Sequence, residues 1–151
     1  MKVEWRWSNM FLSPEKSLCE KNQKLVVSRD KGASREHRAE NPQGQCDLRH
    51  YRLDGDLVQH KKCCDYLLVN DSKKKAYLIE LKGGNIDVAV EQLEAGERFC
   101  AEDLKEYIFF YRIVCSKAKT HKIESIKVRK FKEKKLSRLI IKENCLKEKL
   151  D

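Results

Sequence analysis

The sequence has no apolar run approaching the ~18–20 residues of a bilayer span, no CxxC pair of the kind that builds a zinc ribbon, and only two prolines and six glycines in 151 residues. The first absence excludes a helical membrane protein. The scarcity of glycine and proline excludes collagen-like and low-complexity chains. Residues 1–11 (MKVEWRWSNMF) also lack the continuous apolar stretch of a secretion signal. The seven cysteines, an odd number, fall inside apolar runs rather than at framework spacings. Reduced, buried thiols in a cytoplasmic protein are therefore expected.

What the sequence does contain is enough apolar material for one modest core: 40% of residues are apolar and 38% charged. The length fits one domain and leaves little room for two. The net charge of +9 is unevenly placed. Residues 1–115 carry 20 Lys/Arg against 19 Asp/Glu, and residues 116–151 carry 13 against 5. A basic excess confined to one end suits a polyanion, most often nucleic acid. The plain alternative is a solvated helix with solubilising lysines.

Residues 1–49 read as an irregular extension. Ser13-Pro14-Glu15 has the form of a helix start, and the polar stretch 28–45 reads as a long loop with a short helix around 34–40. From residue 50 the patterning is clearer. Residues 50–58 (HYRLDGDLV) suit a strand, or a tight turn at Asp54-Gly55. Residues 63–69 (CCDYLLV) and 76–82 (AYLIELK) read as strands joined by the polar turn 70–75. Residues 86–104 have helical spacing, with Ile86, Val90, Leu93, Cys100 and Leu104 on one stripe. Residues 107–115 (YIFFYRIVC) suit a central strand, 123–135 a basic helix, and 138–142 (RLIIK) a last strand. The expected class is an α/β domain over 50–151 with a mixed sheet.

Asp65, Glu80 and Lys82 stand out because unpaired charges are costly in apolar strands. Glu80 and Lys82 share a strand face. In an antiparallel hairpin that pairs Val69 with Ala76, Asp65 lies opposite Glu80; a one-residue slip would separate them. Two close carboxylates raise the proton affinity of one of them or accept a divalent cation. Oxygen ligands of this kind suit Mg²⁺ or Mn²⁺. A lysine beside them can orient a water or steady charge on phosphorus.

Asp65, followed fifteen residues on by the Glu80-Leu81-Lys82 core, resembles the PD-(D/E)XK nuclease superfamily. The resemblance covers residues 50–145. It implies a restriction-endonuclease-like mixed central sheet flanked by helices and a metal-dependent nuclease acting on DNA more readily than RNA. It assigns Asp65 and Glu80 as metal ligands and Lys82 as the residue assisting the attacking water. It also gives a supporting role to a polar residue on the following helix, a place that Gln92 occupies. An acid from a leading helix often joins such a site, with Glu36 and Glu40 as candidates. Cys64 stands where the family has proline. At this size such a nuclease is expected to be a homodimer or a subunit of a larger complex. The competing reading is a non-catalytic module binding nucleic acid or protein on the same fold.

Lys127, Arg129, Lys130, Lys132, Lys134 and Lys135 form the candidate nucleic-acid-binding stripe. Gly83-Gly84 reads as a strand-to-helix turn or as a point where backbone comes close to a phosphate. Asp54 and Asp56 are turn residues or additional ligands. Cys46, His50, His60 and Cys63 give a Cys/His spacing that matches no trusted zinc pattern. Trp5 and Trp7 suit a core or an interface.

Overall fold

Residues 75–82 alternate between two buried faces, and this alternation organises the molecule. Ala76 and Leu78 join one apolar cluster, whereas Tyr77, Ile79 and Leu81 join another. A strand buried on both sides needs a layer on each face. The computed structural model describes residues 11–32, 34–116, 125–135 and 137–150; Trp5 and Trp7 lie outside them.

After a 3₁₀ turn at Pro14–Lys16 come β1 (Leu25–Arg29), β2 (Glu36–Glu40), β3 (Leu48–Arg52), β4 (Tyr66–Asn70) and β5 (Lys75–Lys82). They are followed by α1 (Ile86–Cys100), β6 (Ile108–Cys115), α2 (Ile126–Lys134), β7 (Leu139–Glu143) and β8 (Cys145–Lys149). Strands β3-β4-β5-β6-β7 make a five-stranded sheet. Its first three strands are antiparallel neighbours, and β6 and β7 continue parallel to β5. Both crossover helices pack on one face, through Val90, Leu93, Val128 and Phe131. A second sheet, β1-β2-β8, covers the other face through Val26, Ala39 and Leu146. The protein is thus a mixed α/β fold of helices, central sheet and small sheet. Among the described residues no helix is long and apolar enough to cross a membrane.

The order of elements expected after residue 50 agrees with the order in the central sheet, with ends shifted by a few residues. The helix around 34–40 is corrected: these residues form β2, paired with β1 on one side and β8 on the other. The stretch reads as loop because only His37 and Ala39 point inward, and one of these is polar. The expected helix at Ser13 is a single 3₁₀ turn in which Ser13 Oγ accepts from the Glu15 N–H. Strand β8 carries only one buried residue, Leu146, and gives little sequence signal. The chain passes from β7 to β8 through Asn144 at φ 62°, a left-handed conformation that asparagine tolerates.

Helix α1 starts at Asn85, whose side chain accepts from the Val88 N–H. It comes unusually close to the sheet at Gly96, where a Cβ would stand 2.5 Å from Cys64 Sγ and 3.3 Å from Leu78 Cδ2. Gly96→Ala is therefore expected to destabilise by about 1–3 kcal/mol through overpacking, offset by ~1 kcal/mol of helix propensity. Urea denaturation should show a lower midpoint, and Cys64→Ala in the same chain should restore it.

All seven cysteines are free, and Cys46, Cys63, Cys64, Cys100 and Cys115 are buried. Cys46 and Cys63 lie in separate clusters on opposite faces of the central sheet. His50 Nε2 lies 2.9 Å from Ser28 Oγ. The Cys/His set does not converge.

Candidate active site at the rim of the central hairpin

The β4–β5 pairing matches Val69 with Ala76 and Tyr66 with Ile79. Continued by one residue, this register sets Asp65 directly opposite Glu80. Reciprocal hydrogen bonds hold them there. The Asp65 N–H donates to Glu80 Oε1 at 3.1 Å, and the Leu81 N–H donates to Asp65 Oδ2 at 2.9 Å. Glu80 shares the helix-side face with Leu78 by strand alternation, and Lys82 follows two residues on.

Glu80 is only 2% exposed. Burial, and then the neighbouring charge of Asp65, push its carboxyl up to about 9, although Lys82 pulls the other way. Asp65 is also raised, chiefly by burial, and is held down by its bond from the Leu81 N–H. The mutual influence of the two carboxyls favours a proton on Glu80 and charge on Asp65. A like-charge pair of this kind gains from a shared proton or a shared cation.

Gln92 lies on α1 one helical turn before Gly96, while Glu80 lies two residues beyond Leu78 on β5. Gly96 sits against Leu78, so these two offsets of ~5–7 Å bring Gln92 to the level of Glu80. The Gln92 Oε1 is shut off from solvent and has no hydrogen-bond partner among the described residues. Such an oxygen calls for an explanation. Among the described residues no group of three or more His, Cys, Asp or Glu side chains is arranged to hold a metal.

The surroundings include residues that the sequence pattern did not single out. Asp54 and Asp30 both add to the field that raises Asp65. Asp54 was a candidate; Asp30 comes from the stretch read as loop. Arg35 donates through Nε to Asp30 at 3.1 Å and is also ion-paired to it through Nη2. Glu36 is instead engaged by Arg29 and Arg38. Glu40 lies at the far end of β2, opposite Lys149. Neither takes part in the hydrogen bonds of the carboxylate pair.

The basic stripe is divided. Lys127 is paired with Glu91, which also binds Lys62 at 2.9 Å. That contact ties the segment before Asp65 to both helices. Lys135 is paired with Glu97 at 2.9 Å and lies over Tyr111 and Phe131. Both lysines are thereby held by carboxylates of α1. Lys130 and Lys134 line a cleft of about 400 Å³ between α1 and α2. Arg129 is exposed and Lys132 partly so. Arg129, Lys130, Lys132 and Lys134 have no carboxylate partner among the described residues and remain available to an anion. A separate cleft of about 430 Å³ lies away from the carboxylates, against the Arg49–Asp71 ion pair and Tyr107.

Comparison with protein-family models, with curated proteins and with solved structures finds no match.

Proposed function

We propose that the protein is a metal-dependent phosphodiester hydrolase of the PD-(D/E)XK kind, acting on nucleic acid and on DNA more readily than RNA. The observation that carries this reading is the Asp65–Glu80 pair, two carboxyls held face to face at one end of a hairpin with Lys82 on the same strand face. An antiparallel β3–β4–β5 meander followed by a helix and a parallel strand supports the restriction-endonuclease-like assignment.

The donor set fits a hard cation. Asp65 and Glu80 supply carboxylate oxygens, and the orphaned Gln92 Oε1 is a neutral oxygen at the same level. When bound, Mg²⁺ or Mn²⁺ supplies Lewis acidity toward a phosphoryl oxygen and toward water. The chain's own contributions are distinct. Burial keeps Glu80 in a low-dielectric setting where its charge interactions are strong. Asp65 is fixed by the Leu81 N–H and cannot swing away. Lys82 donates to the attacking water or to charge building on a phosphoryl oxygen. Arg129, Lys130, Lys132 and Lys134 hold the nucleic-acid backbone without reading sequence.

The test is cleavage of plasmid and single-stranded DNA with Mn²⁺. Glu80→Ala and Asp65→Ala should each lower the rate at least 100-fold, with Mn²⁺ binding lost by calorimetry. Undiminished cleavage by Glu80→Ala would remove this site from consideration.

One observation favours a second reading. Glu80 is nearly inaccessible and its Oε1 is already used by the Asp65 N–H. A closed pair of this sort also suits a non-catalytic nucleic-acid-binding module. Such a module would bind an oligonucleotide but neither Mn²⁺ nor show cleavage.

A further inference from the structure

Gly83 and Gly84 follow Lys82 directly, and the fold does not fully account for them. The described glycines with left-handed φ are Gly32, Gly44 and Gly55. Neither Gly83 nor Gly84 needs the conformational freedom of glycine, so the strand-to-helix turn does not require them. Packing does not require Gly84 either, and at Gly83 it asks only for room beside a guanidinium. A Cβ on Gly84 would meet nothing within 4 Å, and one on Gly83 would meet only Arg35 Nη1 at 3.3 Å. Both are exposed. Bare backbone with open space above it is left where the carboxylate-bearing strand ends.

Arg35 stands at that place. It reaches from the start of β2 and donates through Nη1 to Ser116 Oγ at 2.7 Å, just past the end of β6. Lys82 is paired with Cys115 in the β5–β6 register, so Ser116, Gly83 and Arg35 form one corner beside Lys82. Asp30 holds two of the guanidinium N–H groups. A guanidinium has five. One N–H on Nη1 and one on Nη2 remain, on a guanidinium already fixed in orientation, and planar donors of this kind suit a phosphate.

Resting on the nuclease reading above, we infer that Gly83, Gly84 and Arg35 form a seat for a backbone phosphate of the nucleic acid, next to the one attacked. The absent side chains let the phosphate come down onto the strand end, and Arg35 takes its oxygens. Asp30 and Ser116 keep the guanidinium in place.

The experiment is fluorescence anisotropy with a short DNA oligonucleotide in EDTA, at several salt concentrations, on the full chain. Mn²⁺ calorimetry and thermal melting accompany it. Gly84→Ala should melt at or slightly above the wild-type temperature, since nothing lies within reach of its methyl. It should nevertheless bind DNA several-fold more weakly. Arg35→Gln should bind more weakly, with a salt slope reduced by about one unit, and Arg35→Lys should recover part of the affinity. Both should bind Mn²⁺ as wild type does. Wild-type DNA affinity in Gly84→Ala and Arg35→Gln, with Mn²⁺ still bound through Asp65 and Glu80, would overturn the seat and leave the nuclease reading intact. A wild-type protein that binds neither DNA nor Mn²⁺ would overturn both.

Discussion

Glu80→Gln is expected to make the metal-free protein more stable at pH 8 while abolishing Mn²⁺ binding and cleavage. The amide matches the protonated carboxyl in shape and can still accept from the Asp65 N–H. The sign follows from the raised carboxyl. In the folded state Glu80 holds its proton up to about 9, against 4.5 for the unconstrained group. Between these values the folded state binds more protons than the unfolded one. The stability Glu80 contributes is therefore complete below pH 4.5 and is lost as pH climbs toward 9. The slope approaches 1.4 kcal/mol per pH unit for one proton. Asp65, raised as well, adds in the same direction. Chemical denaturation in EDTA between pH 5 and 9 should show this fall in wild type and a much flatter line in Glu80→Gln. Parallel lines for the two proteins would mean that Glu80 is not held protonated.

The second large effect lies between the two sheets. Arg112 of β6 is 5% exposed and grips Glu148 of β8 through Nε at 2.8 Å and Nη2 at 3.0 Å. His37 of β2 approaches the same carboxylate at 2.6 Å. Arg112 also donates to the carbonyls of Tyr111 and Arg138, and its guanidinium lies over Tyr77 and Phe110. Burial alone would raise Glu148, but hydrogen bonds from His37 and Arg112 outweigh it and bring the carboxyl to about 2. Arg112→Met should cost about 3 kcal/mol, because it leaves the half-buried Glu148 carboxylate with His37 as its one remaining side-chain partner among the described residues. Adding Glu148→Gln should recover part of that loss, since the amide can still meet His37. A loss below 1 kcal/mol in Arg112→Met would show that the pair does not join the sheets.

The same region sets the acid limit. Glu148 contributes stability above pH 4.5 that disappears as pH falls toward 2. His50, held down to about 4 by burial and by His37, contributes stability above 6.5 that disappears as pH falls toward 4.

The central hairpin was legible because its residues obey one rule. Apolar runs bounded by polar turns, with a short loop between them, leave few registers, and the wish to bury Leu67, Leu78 and their neighbours selects the one that sets Asp65 against Glu80. Gln92 was singled out only by the family resemblance, while helical spacing showed the helix that carries it. Strands β2 and β8 were not, because their inward faces carry His37 and Glu148 where a strand pattern expects hydrocarbon. Glu148 meets His37 Nε2 and Arg112 only after segments 111 positions apart have met.

By itself, then, the sequence determined the class of fold, the succession of strands and helices in the central sheet and the pairing that brings two acids together, since these depend on periodicity and short-range closure. Only the tertiary structure decided that a polar sheet covers the second face, that Lys127 and Lys135 are paired with carboxylates of α1, and that Arg35 arrives beside Gly83. Those outcomes depend on contacts between distant segments, which no local pattern encodes.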